Sequence, residues 1–89
     1  MYAWIIDKDY LNDGAEGTVG PRNPHAASLE TLKAGYGEPL RLYDDDGNLQ
    51  YEVRIAGNYD GFEPMDDYGR PNAATTEVRY LAQGQWKPL

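Results

Sequence analysis

Between Pro39 and Ala56 the chain alternates apolar and polar residues on both sides of a turn signal. Leu49, Tyr51, Val53 and Ile55 are separated by Gln50, Glu52 and Arg54. A period of two puts the apolar side chains on one strand face and the polar ones on the other. Leu40 and Leu42 alternate with Arg41 and Tyr43, and Asp44-Asp45-Asp46-Gly47 lies between the two runs. Asp and Gly accept turn geometry for backbone reasons, so the segment predicts a hairpin with one buried face. A two-residue turn at Asp46-Gly47 sets Leu42 against Tyr51 and Arg41 against Glu52. A four-residue loop over 44–47 sets Leu42 against Leu49. Both keep the apolar faces together; a three-residue loop would oppose Leu42 to Gln50 and is rejected.

A lone hairpin is not stable in water, so the remaining elements must cover it. Tyr2 to Asp7 has apolar residues on both faces, which suits a central strand covered on both sides. Asn23-Pro24 predicts a helix start, with Asn23 as cap, Pro24 at the first position and Ser28 as a later competing cap. Gly35 ends the helix, Lys33 suits its last turn, and Ala26, Leu29 and Leu32 form its apolar stripe. Thr75 to Ala82 predicts a strand with Thr76, Val78 and Tyr80 on one face. A three-residue loop over 82–84 would then set Tyr80 opposite Trp86. Pro88 marks the last strand, Gln85 to Leu89, as an edge. Lys8–Asn23 and Asn58–Asn72 are rich in Gly, Pro and Asp and read as long surface loops. The sum is one α+β domain over residues 1–89, with about five mostly antiparallel strands in one sheet and one short helix packed on a face.

Composition removes several classes of function. The chain has no cysteine, which excludes disulfides, thiolate metal sites and cysteine nucleophiles. No apolar run approaches the roughly 20 residues of a membrane span. The start of the chain lacks the basic region of a signal peptide, and the expected location is the cytoplasm of a bacterial host. A pI near 4.4 argues against direct binding of nucleic acid or anionic membrane, which need a cationic footprint.

The acidity is concentrated. Residues 38–67 hold nine carboxylates, Glu38, Asp44, Asp45, Asp46, Glu52, Asp60, Glu63, Asp66 and Asp67, against Arg41 and Arg54, and so sum to −7. The other 59 residues hold six acids and six bases and sum to zero. A charge distribution this uneven gives the molecule a directional field. Its acids alternate with aromatics, as in Tyr59-Asp60-Gly61-Phe62-Glu63 and Asp66-Asp67-Tyr68. Carboxylates on a rigid tip and adjoining loops present negative charge, and the aromatics with Met65 supply apolar anchors.

Each catalytic or metal motif is incomplete. Asp44-x-Asp46-Gly47 looks like part of a calcium loop, but Leu42 and Val53 occupy positions where that loop needs ligands. Gly14, Gly17 and Gly20 lack the Gly-Lys-Ser/Thr ending of a phosphate loop. His25 is the only histidine and Ser28 the only serine, with no nucleophile elbow around the serine. Asp66-Asp67 or Asp60 with Glu63 would need a deep, desolvating cleft to act as an acid–base pair. No catalytic residue, metal site or cofactor is expected.

Two stretches resemble small proteins encoded by bacteria, plasmids and phages. They are Arg41-Leu-Tyr-Asp-Asp-Asp-Gly-Asn-Leu-Gln-Tyr-Glu-Val-Arg54 and Phe62-Glu-Pro-Met-Asp-Asp-Tyr-Gly-Arg-Pro-Asn72. In size, charge and absence of catalytic residues the whole chain resembles a phage anti-CRISPR protein of the nucleic-acid-mimicking type. That resemblance is one of character and carries over no individual residue. It implies a CRISPR effector as partner and blockade of its DNA-binding surface as mechanism. The expected partner is therefore a basic nucleic-acid-binding protein, contacted through Asp44, Asp45, Asp46, Asp60, Glu63, Asp66, Asp67 and Tyr68. The alternative is a small structural or accessory domain that forms a homodimer through its sheet, its acidity serving solubility.

Overall fold

The computed structural model describes residues 1–89. Its strands are β1 (Tyr2–Asp9), β2 (Val19–Gly20), β3 (Glu38–Tyr43), β4 (Leu49–Gly57), β5 (Glu77–Ala82) and β6 (Gln85–Pro88). They form one antiparallel sheet in the order β2-β1-β4-β3-β5-β6. The fold is α+β as expected. The two-residue β2 is an added strand, inside the segment 8–23 whose composition reads as loop.

Alternation divides the core between the two faces of the sheet. Trp4, Ile6, Tyr51, Val53, Ile55, Leu40, Leu42 and Val78 form the main cluster on one face. Ala3 and Ala56 point the other way and meet Leu32, with Ile5 and Leu29 packed alongside. The helix Ala26–Lys33, α1, lies on this second face over β1 and β4. β1 is thus covered on both sides, which explains its two apolar faces. Arg54 locks the helix end to the sheet. Its Nη1 donates to the carbonyls of Leu32 (3.0 Å) and Tyr36 (2.8 Å), and the same guanidinium pairs with Asp7. A cation on helix-end carbonyls opposes their partial negative charge.

The segment from Asn58 to Thr76 corrects the loop reading. It contains a π-helical turn, Met65–Gly69, followed by a short helix, α2, Arg70–Ala73, and ends at Ala74 in the left-handed region (φ 53°). Strand order dictates this crossing. β4 and β5 both run antiparallel to β3, so they are parallel to each other. The chain leaving β4 must return along the sheet before β5 begins, and β4 is nine residues long, roughly 26 Å. The crossing seals the main core with Met65, Tyr59, Tyr68 and Ala73. Gly69 allows the close approach: a Cβ there would overlap Thr75 Oγ1 and come within 3.3 Å of Leu42 Cδ1.

Three local expectations shift by a residue or more. The helix begins at Ala26, with His25 at the cap position and no side-chain capping bond. Neither Asn23 nor Ser28 caps it, while Gly35 does take the left-handed conformation (φ 91°) just past its end. The main hairpin pairs Arg41 with Glu52 and Leu42 with Tyr51, but Tyr43 meets Leu49. The extra residue is Gln50, and the resulting bulge buries it. Gln50 Nε2 donates to the Ala73 carbonyl (2.7 Å), and Thr75 Oγ1 donates to Gln50 Oε1 (2.6 Å). The bulge side chain therefore anchors the end of the crossing segment. In the last hairpin the turn has two residues, Gln83 and Gly84, both at positive φ. Trp86 consequently faces Leu81, and Tyr80 faces Lys87.

Candidate functional site

The hairpin tip is built on Asp44. Its Oδ1 accepts from the backbone N–H of Asp46 (3.0 Å) and Asn48 (2.8 Å), and its Oδ2 accepts from Asn48 Nδ2 (3.0 Å). The Asn48 donors foremost, joined by the Asp46 N–H, hold the Asp44 carboxyl below the usual carboxylate range. Asp45 and Asp46 are exposed and make no ion pair. One oxygen from each of Asp44, Asp45 and Asp46 falls within 4.8 Å of the others. The tip is a rigid turn presenting two outward carboxylates over a third that holds the turn together.

The acids of the crossing segment are used differently. Glu63 accepts the N–H groups of Asp60 (2.9 Å) and Gly61 (2.8 Å), and Asp60 Oδ1 accepts from Phe62 N (3.0 Å). Asp66 pairs with Arg70 one turn on, at 3.8 Å. Asp67 Oδ2 accepts two bonds, from the Tyr2 hydroxyl (2.8 Å) and from Trp4 Nε1 (2.9 Å). Burial, aided by this bond to Asp67, pushes the Tyr2 phenol up to about 12. Tyr68 stands edge-on to both Trp4 and Tyr51, with ring centroids 6.0 and 5.8 Å away.

The eight expected contact residues fall into three places. Asp44, Asp45 and Asp46 lie beyond the end of β3. Asp60 and Glu63 lie past the opposite end of the sheet, beside the exit from β4. Asp66, Asp67 and Tyr68 sit between them, on the main-core face above β1.

The tip has acidic neighbours that sequence reasoning missed. β1 ends at Asp9, which pairs with Tyr51, so the loop that follows it emerges beside the hairpin tip. Asp9 accepts from the N–H groups of Leu11 (2.9 Å), Asp13 (2.8 Å) and Ala15 (3.0 Å). Desolvation pushes the Asp9 carboxyl up, but these donors outweigh it and hold it at about 2. The Tyr51 hydroxyl donates to Asp13 Oδ2 (2.7 Å), and Glu16 lines a shallow depression with Asp9, Asn12 and Gly14. Only strand pairing reveals this grouping, since Asp9 and Asp44 are 35 positions apart in the chain.

Ion pairing sharpens the contrast. Five pairs, Lys33–Glu30, Arg41–Glu52, Arg54–Asp7, Arg70–Asp66 and Arg79–Glu77, engage five of eight cations and five of fifteen carboxylates. Ten carboxylates have no cation partner, and six of these, Asp9, Asp13, Glu16, Asp44, Asp45 and Asp46, gather at one end of the sheet. The half of the second face not covered by α1 is instead balanced. There Arg41 lies 4.2 Å over the Trp86 ring and Arg79 lies 4.0 Å over Tyr43, each beside its own glutamate.

His25 Nδ1 and Ser28 Oγ lie 2.7 Å apart. Ser28 is buried at the helix–sheet junction, so its hydroxyl offers no face to a substrate. An open pocket of about 430 Å³ lies between β2 and the π-helical turn, lined by Trp4, Thr18, Val19, Gly20, Pro21, Arg22, Asp67 and Tyr68. No helix is long and apolar enough to cross a membrane. No protein-family model, curated protein or solved structure matches this chain.

Proposed function

We propose that this protein is a non-enzymatic acidic binding protein that blocks a nucleic-acid-binding protein by occupying its basic surface. The observation that carries this reading is the gathering of six unpaired carboxylates at the tip end of the sheet. Two neighbouring spacings between strands separate Asp9 from the hairpin tip, roughly 10 Å. Negative charge over such a distance, fixed on turns whose backbone is hydrogen-bonded, matches a cationic groove better than a flexible tail would. A CRISPR effector is the partner that the resemblance implies. The use of Asp60 and Glu63 as acceptors for backbone N–H groups, and the burial of Ser28, favour binding over catalysis.

Charge reversal tests this reading. The protein on a resin should retain a DNA-binding protein from bacterial extract, release it as salt rises, and lose it to competing duplex DNA. Asp44→Asn with Asp45→Lys and Asp46→Lys should abolish retention; unchanged retention refutes the reading.

The neutral, helix-free half of the second face favours a second reading. Two copies carrying −7 each repel least across a balanced surface, and Trp86 with the two arginines offers residue types that anchor interfaces. In that reading the protein is a structural homodimer packed sheet to sheet. Light scattering distinguishes them: a dimer that Trp86→Glu dissociates supports the second reading, and a monomer at all concentrations rejects it.

A further inference from the structure

The pocket between β2 and the π-helical turn has a construction that the tip lacks. Its floor is the Trp4 indole, lying so close to Gly20 that a Cβ there would overlap the ring. One wall is Pro21 and Val19 from the edge of the sheet, and the other is Tyr68. At the rim stands Asp67. Both of its hydrogen bonds, from Tyr2 and Trp4, fall on Oδ2. They fix the carboxylate plane and leave Oδ1 without a partner. No cation of the chain lies within ion-pair distance of Asp67, although Arg22 lines the same pocket.

We propose that this pocket receives an arginine side chain of the partner, its guanidinium bonded to Asp67 and its plane laid against Tyr68. This rests on the proposed function in one respect: a basic nucleic-acid-binding surface is what supplies the arginine. An oriented carboxylate beside an aromatic ring suits a planar guanidinium, which donates in the carboxylate plane and stacks at once. A lysine ammonium is a compact, strongly hydrated charge that cannot stack on the ring. The charge around the rim favours a cation over an anion. Asp66 and Glu63 adjoin Asp67, and their negative field also reaches the Tyr2 phenol. Arg22 is the one opposing charge in the lining, so it acts as an internal competitor for the cation rather than as a clamp.

The probe is N-acetyl-arginine-methylamide, titrated into the full-length chain with the indole N–H resonances of Trp4 and Trp86 followed by NMR. The Trp4 resonance should shift and saturate, because its N–H shares Asp67 with the ligand, while Trp86 should not move. The lysine analogue should bind more weakly. Asp67→Asn keeps an acceptor for Tyr2 and Trp4 but removes the charge, and should weaken binding roughly fivefold or more. Arg22→Ala should strengthen it, and Tyr68→Leu should erase the preference for arginine over lysine. No saturable Trp4 shift, or equal affinity in Asp67→Asn, overturns the proposal. The two readings fail separately. Retention that depends on the tip without arginine in the pocket leaves the proposed function and removes this site. A titratable pocket in a protein whose charge-reversed tip retains its target does the reverse.

Discussion

The hairpin tip at 44–48 and the crossing segment at 58–76 share a composition but not a use of it. Both are rich in Asp, Gly and aromatic neighbours. At the tip, Asp44 holds the turn and leaves Asp45 and Asp46 pointing into solvent. In the crossing segment each acid has a partner. Glu63 and Asp60 bond backbone N–H groups, Asp66 meets Arg70, and Asp67 tethers the segment to β1. The difference arises from what lies underneath. The segment lies over the main core and ties its own backbone down with its acids, whereas the tip projects past the ends of β3 and β4. Local sequence therefore fails to distinguish a carboxylate that advertises charge from one that serves as a hydrogen-bond acceptor.

The strongest way to break this comparison is to remove the anchor of the segment. Met65→Ala should cost roughly 2–5 kcal/mol of stability by opening a cavity in the main core, measured by urea unfolding. A loss below about 1 kcal/mol would mean that the segment is not part of the cooperative core. Asp67→Ala should come next, at about 1–3 kcal/mol, since it leaves the Trp4 N–H without an acceptor.

The pH dependence should separate the two ends of the sheet. Asp9 titrates lower in the fold, at about 2, than the 3.8 of a free aspartate. Its contribution is complete above the unfolded value and is lost as pH falls from about 4 toward 2. Tyr2 is the opposite case, raised from 10.0 to about 12, so its contribution is complete below pH 10 and disappears as pH rises through 12. Asp9→Asn should flatten the acid limb of the stability profile, and Tyr2→Phe should flatten the alkaline limb. The smallest effect should come from Asp45→Asn with Asp46→Asn. Stability should change by less than about 0.5 kcal/mol, yet the salt dependence of partner binding should become shallower. A large stability loss there would show that the tip is structural as well.

Much of the fold is legible in the sequence because period-two alternation and turn chemistry act locally. The β3–β4 pairing, the edge position of β6 and the end of α1 follow from residues such as Leu49 to Ile55, Pro88 and Gly35. The features that sequence does not reveal are set by distant neighbours. The bulge at Gln50 exists because Ala73 and Thr75 offer that amide partners more than 20 positions away. The helical crossing exists because β5 sits on the far side of β3, a fact of strand order that no window of sequence holds. The same blindness hides Asp9 and Asp13 from the candidate surface. It also hides that Asp67, exposed as it is, tethers Trp4.

Strand order has a temporal consequence. β1 is made before the other strands of its sheet, yet its main pairing partner is β4, more than 40 positions later. Until Leu49–Gly57 leaves the ribosome, a segment with apolar residues on both faces has only the two-residue β2 to pair with. β3 and β4 can close at once as neighbours, while β1 must search across a long loop, the slow kind of contact in folding. The window between those two events is when this chain is most exposed to aggregation. Overexpression should accordingly lose more soluble protein to substitutions that delay the β3–β4 hairpin than to equally destabilising ones in α1.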